Sequence, residues 1–164
     1  MRLKYITSFV GISLKGDESM NLNSENPKVG RLFEELTARL LSDHYQVNFD
    51  LNVSIPIGDP PKGHRFDCVS EDHEIVAECK CYTWTTTGNI PSAKMGFVNQ
   101  EVFYLSFLPD STTKIIVMKK STHPKRTETL MDYYHRTYQH LIKQVWLFEV
   151  DDEAECIRIV KKAE

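Results

Sequence analysis

The sequence predicts an α/β protein of the α+β kind, a mixed β-sheet with helices packed against its faces. Three observations predict it. Apolar residues form three stripes at helical spacing, separated by short strand patterns. Three strand patterns follow one another early in the chain, two of them joined by four polar residues, the length of an antiparallel hairpin connection. The later strands alternate with helices, as parallel crossovers do.

Taken in order, the first 25 residues read as an arm or edge strand. Residues 1–11 faintly resemble a secretory signal, but Thr7 and Ser8 interrupt the apolar part and no small-residue cleavage site follows. One domain is expected over 26–164. Asn26 can cap a helix and Pro27 can open it, and Val29, Leu32, Phe33, Leu36 and Leu40 carry its apolar stripe to about His44. Gly30 inside that helix costs about 1 kcal/mol relative to Ala, which predicts a close approach to the backbone there. Apolar residues at 47, 49, 51, 53 and 55 alternate as in a half-buried strand. After the Gly/Pro-rich loop at 57–63 come strands over 65–69 and 74–80. A polar loop over 83–91 leads to a helix over 92–108, with Met95, Val98, Val102 and Leu105 inward. A strand at 114–118, a helix over 129–143 with Leu130, Met131, Tyr134, Tyr138 and Leu141 inward, and strands at 145–150 and 156–160 complete the order.

Composition narrows the function. The 164 residues are 41% hydrophobic and 26% charged, a length that buries roughly 70% of the unfolded surface in one domain, so no metal or disulfide staple is needed. No apolar run reaches the ~18 residues of a membrane span. Cys68, Cys79, Cys81 and Cys156 fit neither a secreted framework nor a Cys-x-x-Cys knuckle and suit a reducing cytoplasm. The net charge of −3 hides a division: residues 111–145 carry +5 and the remainder −8. No Ser-His-Asp order, phosphate-binding glycine loop or dinucleotide fingerprint is present.

The chemistry concentrates at Asp67, Glu78 and Lys80. Alternation puts Glu78 and Lys80 on one strand face and Cys79 and Cys81 on the other. A hairpin turning near Asp72 brings Asp67 toward Glu78. Two close carboxylates repel unless a cation lies between them, and oxygen ligands of this kind suit Mg²⁺, with Mn²⁺ as the substitute. Lys80 can hold the attacking water or neutralise charge growing on a phosphoryl oxygen. That combination fits phosphodiester hydrolysis. The plainer alternative is a cross-strand ion pair at a sheet edge.

These residues, Phe66-Asp67 and then Glu78-Cys79-Lys80 on a hairpin after the helix carrying Gly30-Arg31-Leu32-Phe33-Glu34, resemble the PD-(D/E)xK nuclease superfamily over 29–117, with Phe66 where Pro is often written. The resemblance is nearest to Mrr-like and Holliday-junction-resolvase-like branches. It implies a restriction-endonuclease-like αβββαβ core, here with an added helix and C-terminal strands. It also implies Mg²⁺ held by Asp67 and Glu78, and a catalytic set of Asp67, Glu78, Lys80 and a helical glutamate. Glu34 matches that last position, and Glu35 is its competitor. Gln100 and Tyr104 are similar to the Gln-x-x-x-Tyr of RecB-like exonucleases and make Gln100 a candidate near Lys80.

DNA is the expected partner, RNA the less favoured one, and a homodimer is expected if two strands are cut. Lys119, Lys120, Lys125 and Arg126 are candidate phosphate contacts, and His64, Arg65, Tyr82, Trp84 and Asn89 could line the groove. The alternative function is a non-catalytic nucleic-acid-binding or assembly subunit that retains the fold. The three clustered cysteines are expected to be buried thiols rather than a zinc site.

Overall fold

A computed structural model describes residues 27–164, so Asn26 and the arm expected over 1–25 lie outside the described residues. Pro27 opens α1 (Pro27–Tyr45), followed by β1 (Phe49–Ile57), β2 (Lys62–Ser70), β3 (Ile75–Lys80), α2 (Ser92–Leu105), β4 (Thr113–Lys119), α3 (Leu130–Tyr138), β5 (Val145–Asp151) and β6 (Cys156–Lys161). Together they form an α+β fold around one mixed six-stranded sheet in the order β1-β2-β3-β4-β5-β6. The β3–β4 and β4–β5 pairs are parallel, the others antiparallel. Both crossovers step the same way across the sheet, so a fixed crossover hand puts α2 and α3 on one face. There Met95, Val98, Leu130, Met131 and Tyr134 pack on Val76, Ile116 and Leu147. The other face is covered by α1, through Phe33, Leu40 and Leu41 on Ala77, Ile115, Val117 and Phe148.

The third helix stops earlier than its periodicity predicts, passing at Gln139–Leu141 into a 3₁₀ turn. That tighter turn leaves Leu141 66% exposed and buries Ile142 at the foot of β5 instead. The close approach expected at Gly30 is likewise absent: apart from the helix's own backbone, nothing among the described residues lies within 4 Å of where a Cβ would sit. Gly30→Ala is therefore expected to raise stability by about 1 kcal/mol, readable as a higher midpoint in urea unfolding.

The alternation along β1 is interrupted. Phe49 and Leu51 pack under α1, whereas Val53, Ile55 and Ile57 pack on the α2 side. Between them Asn52 takes a left-handed φ of 57°, a conformation that Asn tolerates better than most residues. The β1–β2 ladder pairs Leu51 with Cys68 and Val53 with Phe66 and skips the rung of Asn52 and Asp67. Across that rung β2 changes face too, with Phe66 in the α2-side core and Cys68 in the α1-side core. Asp67 thus stands at an irregularity of the sheet, where a side chain can be re-aimed.

Candidate active site

The site is built where β2 and β3 part. Their ladder holds only Cys68 to Ala77 and Val69 to Val76, and one further step of the same register sets Asp67 opposite Glu78. At that point the Cys79 N–H donates to Asp67 Oδ2 at 2.8 Å, so a carboxylate takes the place of a strand carbonyl. Lys80 lies one residue on. Its Nζ is 3.1 Å from Glu78 Oε2, 3.2 Å from Glu101 Oε1 and 3.5 Å from Asp67 Oδ2. Three carboxylates from three elements thus meet one ammonium.

The α1 side contributes a fourth. Glu34 is half-buried, its backbone carbonyl lies 3.8 Å from the Cys68 thiol, and its carboxylate senses both Asp67 and Lys80. Glu35 instead pairs with Arg31 at 2.9 Å on the exposed face of the helix. The rotation of α1 therefore turns Glu34, and not Glu35, toward the sheet.

Burial sets the charge states. Glu78 is 2% exposed, and that burial, helped by the negative charges of Asp67 and Glu101, pushes its carboxyl up to about 10 against the pull of Lys80. Burial also raises the Glu34 carboxyl, with Asp67 adding to the effect. For Lys80 burial acts downward, but Glu78, Asp67 and Glu101 outweigh it and hold the ammonium protonated above its usual range. The acidic groups are thus under-neutralised by the one lysine in contact with them among the described residues.

A divalent cation suits that imbalance. His64, Glu78 and Glu101 each offer a ligand atom, and these atoms all lie within 4.8 Å of one another, a carboxylate and imidazole group that could hold a metal ion. Glu78 Oε1 and His64 Nε2 are both buried without a hydrogen-bond partner among the described residues, and buried polar atoms of this kind need an explanation. His64 also borders a cavity of about 290 Å³, which it shares with Tyr104, Phe107, Lys62 and Gly58.

Glu101 was not singled out from the sequence. The signal was available, since Glu101 lies three residues after Val98 and four before Leu105 and so borders the inward stripe of α2. Its neighbour Gln100 is exposed, and its side-chain amide donates to the Tyr104 hydroxyl at 3.1 Å. His64 was expected only to line a groove.

The groove candidates divide. Trp84 cannot stack on a base: it is 5% exposed in the core, with Arg126 over its ring at 4.7 Å. Lys119 and Lys120 are paired with Asp152 at 2.6 Å and Asp151 at 2.7 Å. Arg126 donates to the Gly88 carbonyl at 2.7 Å and Lys125 to that of Thr87 at 3.4 Å, so this run ties down the loop before α2. Arg65 and Asn89 are exposed, and Tyr82 is half-buried near Lys94. All four cysteines are free, with Cys68 and Cys79 sulfurs 3.6 Å apart in the α1-side core. No helix of the described residues is long and apolar enough to cross a membrane.

Comparison with protein-family models, with curated proteins and with solved structures finds no match to the chain.

Proposed function

We propose that the protein is a Mg²⁺-dependent phosphodiester hydrolase, a DNA endonuclease of the PD-(D/E)xK kind. The observation that carries this reading is the meeting of Asp67, Glu78 and Glu101 around Lys80, with Glu34 behind Asp67, at a break in the sheet. Side-chain exposures of 19% for Asp67 and 17% for Glu101 leave the group open on one side, which a structural ion pair would not require.

Asp67 and Glu78 would hold the metal, which when bound acidifies water and polarises phosphorus. Lys80, kept protonated by its three carboxylates, orients the attacking water and balances charge developing on the phosphoryl oxygen. Glu34, whose carboxyl burial and Asp67 raise above its ordinary range, would exchange a proton with that water. Lys62 and Arg65 on β2 supply cations for flanking phosphates. With one site per chain, cutting both strands calls for a homodimer.

The test is a panel of supercoiled, linear, single-stranded and junction DNA, with matched RNA, in Mg²⁺ or Mn²⁺. Wild type is expected to cut at least one DNA substrate. Asp67→Asn, which keeps an acceptor for the Cys79 N–H, is expected to lose about 100-fold or more of that rate. Equal rates for the two proteins would overturn the proposal.

A further inference from the structure

We propose that His64, Glu78 and Glu101 form a second cation position, separate from the oxygen-only position at Asp67 and Glu78, and that its imidazole makes it prefer Mn²⁺ to Mg²⁺. The two oxygens of Glu78 point to different neighbours. Oε2 accepts from Lys80 at 3.1 Å on the Asp67 side. Oε1 faces His64 Nε2 at 3.9 Å, and neither of those atoms has a hydrogen-bond partner among the described residues.

A separation of 3.9 Å is too long for a hydrogen bond. It does fit two ligands of a single ion, since metal–nitrogen and metal–oxygen distances of about 2.0–2.2 Å allow ligand atoms to lie up to roughly 4 Å apart. Glu101 supplies the third ligand from α2: the three ligand atoms lie within 4.8 Å of one another, so the flexible glutamate side chain must draw in slightly to reach an ion held by the other two. The imidazole is also held in place. It stacks on Tyr104 with ring centroids 4.1 Å apart and meets the Phe66 ring edge-on at 4.8 Å, so Nε2 is kept aimed at Glu78. His64 is also one of the residues that line the neighbouring cavity, so the position adjoins space that water can occupy.

The donor set decides the ion. Mg²⁺ takes oxygen ligands and keeps its waters, whereas imidazole suits transition metals. Mn²⁺ is the appropriate probe because Zn²⁺ would also be drawn to thiols, of which Cys156 is exposed. The inference shares Glu78 with the proposed hydrolase but does not require cleavage.

The experiment is calorimetric titration of the full chain with MnCl₂ and with MgCl₂, without nucleic acid. It compares wild type, His64→Phe, which retains a ring against Tyr104, Glu101→Gln and Asp67→Asn, with melting curves to establish that each is folded. Wild type is expected to bind Mn²⁺ about tenfold or more tightly than Mg²⁺. His64→Phe and Glu101→Gln are expected to lose that preference and Asp67→Asn to keep it. Substoichiometric Mn²⁺ should broaden the His64 ring resonances. An unchanged Mn²⁺-to-Mg²⁺ ratio in both His64→Phe and Glu101→Gln, or a preference lost in Asp67→Asn alone, would overturn the second position. A chain that cuts DNA without a His64-dependent preference defeats this inference and leaves the nuclease reading standing. A chain with the preference and no cleavage does the reverse.

Discussion

Replacing Lys80 by Met is expected to lower cleavage by about 1000-fold and, in EDTA at pH 8, to lower stability by about 3 kcal/mol. The side chain is 13% exposed and touches Glu78, Asp67 and Glu101. Removing it leaves these acids facing one another in a poorly solvated site, which costs more than the loss of an exposed ion pair. For a chain of this size the deficit corresponds to a melting midpoint lower by roughly 6–12 °C. Millimolar Mg²⁺ should restore part of it, because an ion bound only by the folded state stabilises by mass action and here would replace the missing positive charge. The same Mg²⁺ should not restore cleavage, since the lysine's place beside the water stays empty. Melting curves of wild type and Lys80→Met, each with EDTA and with Mg²⁺, measure both effects. A Lys80→Met protein as stable as wild type in EDTA would mean that the carboxylates do not repel, and the reason for placing a cation there would be gone.

What the sequence made legible was the part that depends on local arithmetic. Strand alternation places Glu78 and Lys80 together, and a hairpin centred near Asp72 brings Asp67 to them; both follow from spacing alone. Spacing put Glu101 at the border of the inward stripe of α2, but whether it met Lys80 depended on the rotation of that helix against the sheet, which is set by packing. The even alternation along β1 concealed the change of face at Asn52, because apolar residues continue at every second position while the core they enter changes. Trp84 was misplaced for a similar reason: a polar loop gives no sign that its one indole is folded inward. The basic run looked free because its partners are distant in sequence. Parallel pairing sets Lys119 beside Val150, and so carries Lys119 and Lys120 to Asp152 and Asp151 at the end of β5.

Glu78→Gln separates the structural cost of the site from its use. Burial, Asp67 and Glu101 raise the Glu78 carboxyl from its ordinary 4.5 to about 10. Between those values the folded chain holds a proton that the unfolded chain has released, so this group's contribution to stability declines as pH rises through that window. Glutamine keeps the shape and never ionises. In EDTA the variant should therefore match wild type near pH 4 and exceed it by about 1–3 kcal/mol at pH 8. Divalent metal should reverse the order. Metal binding must expel the Glu78 proton, so wild-type affinity for Mg²⁺ should climb by up to about tenfold per pH unit between pH 6 and 9, while Glu78→Gln gains little from Mg²⁺ at any pH. Urea unfolding across this range, with and without Mg²⁺, reads both effects. Wild type more stable than Glu78→Gln in EDTA at pH 8 would mean that Glu78 is ionised and satisfied by Lys80 alone. The charge imbalance that calls for a cation would then not exist.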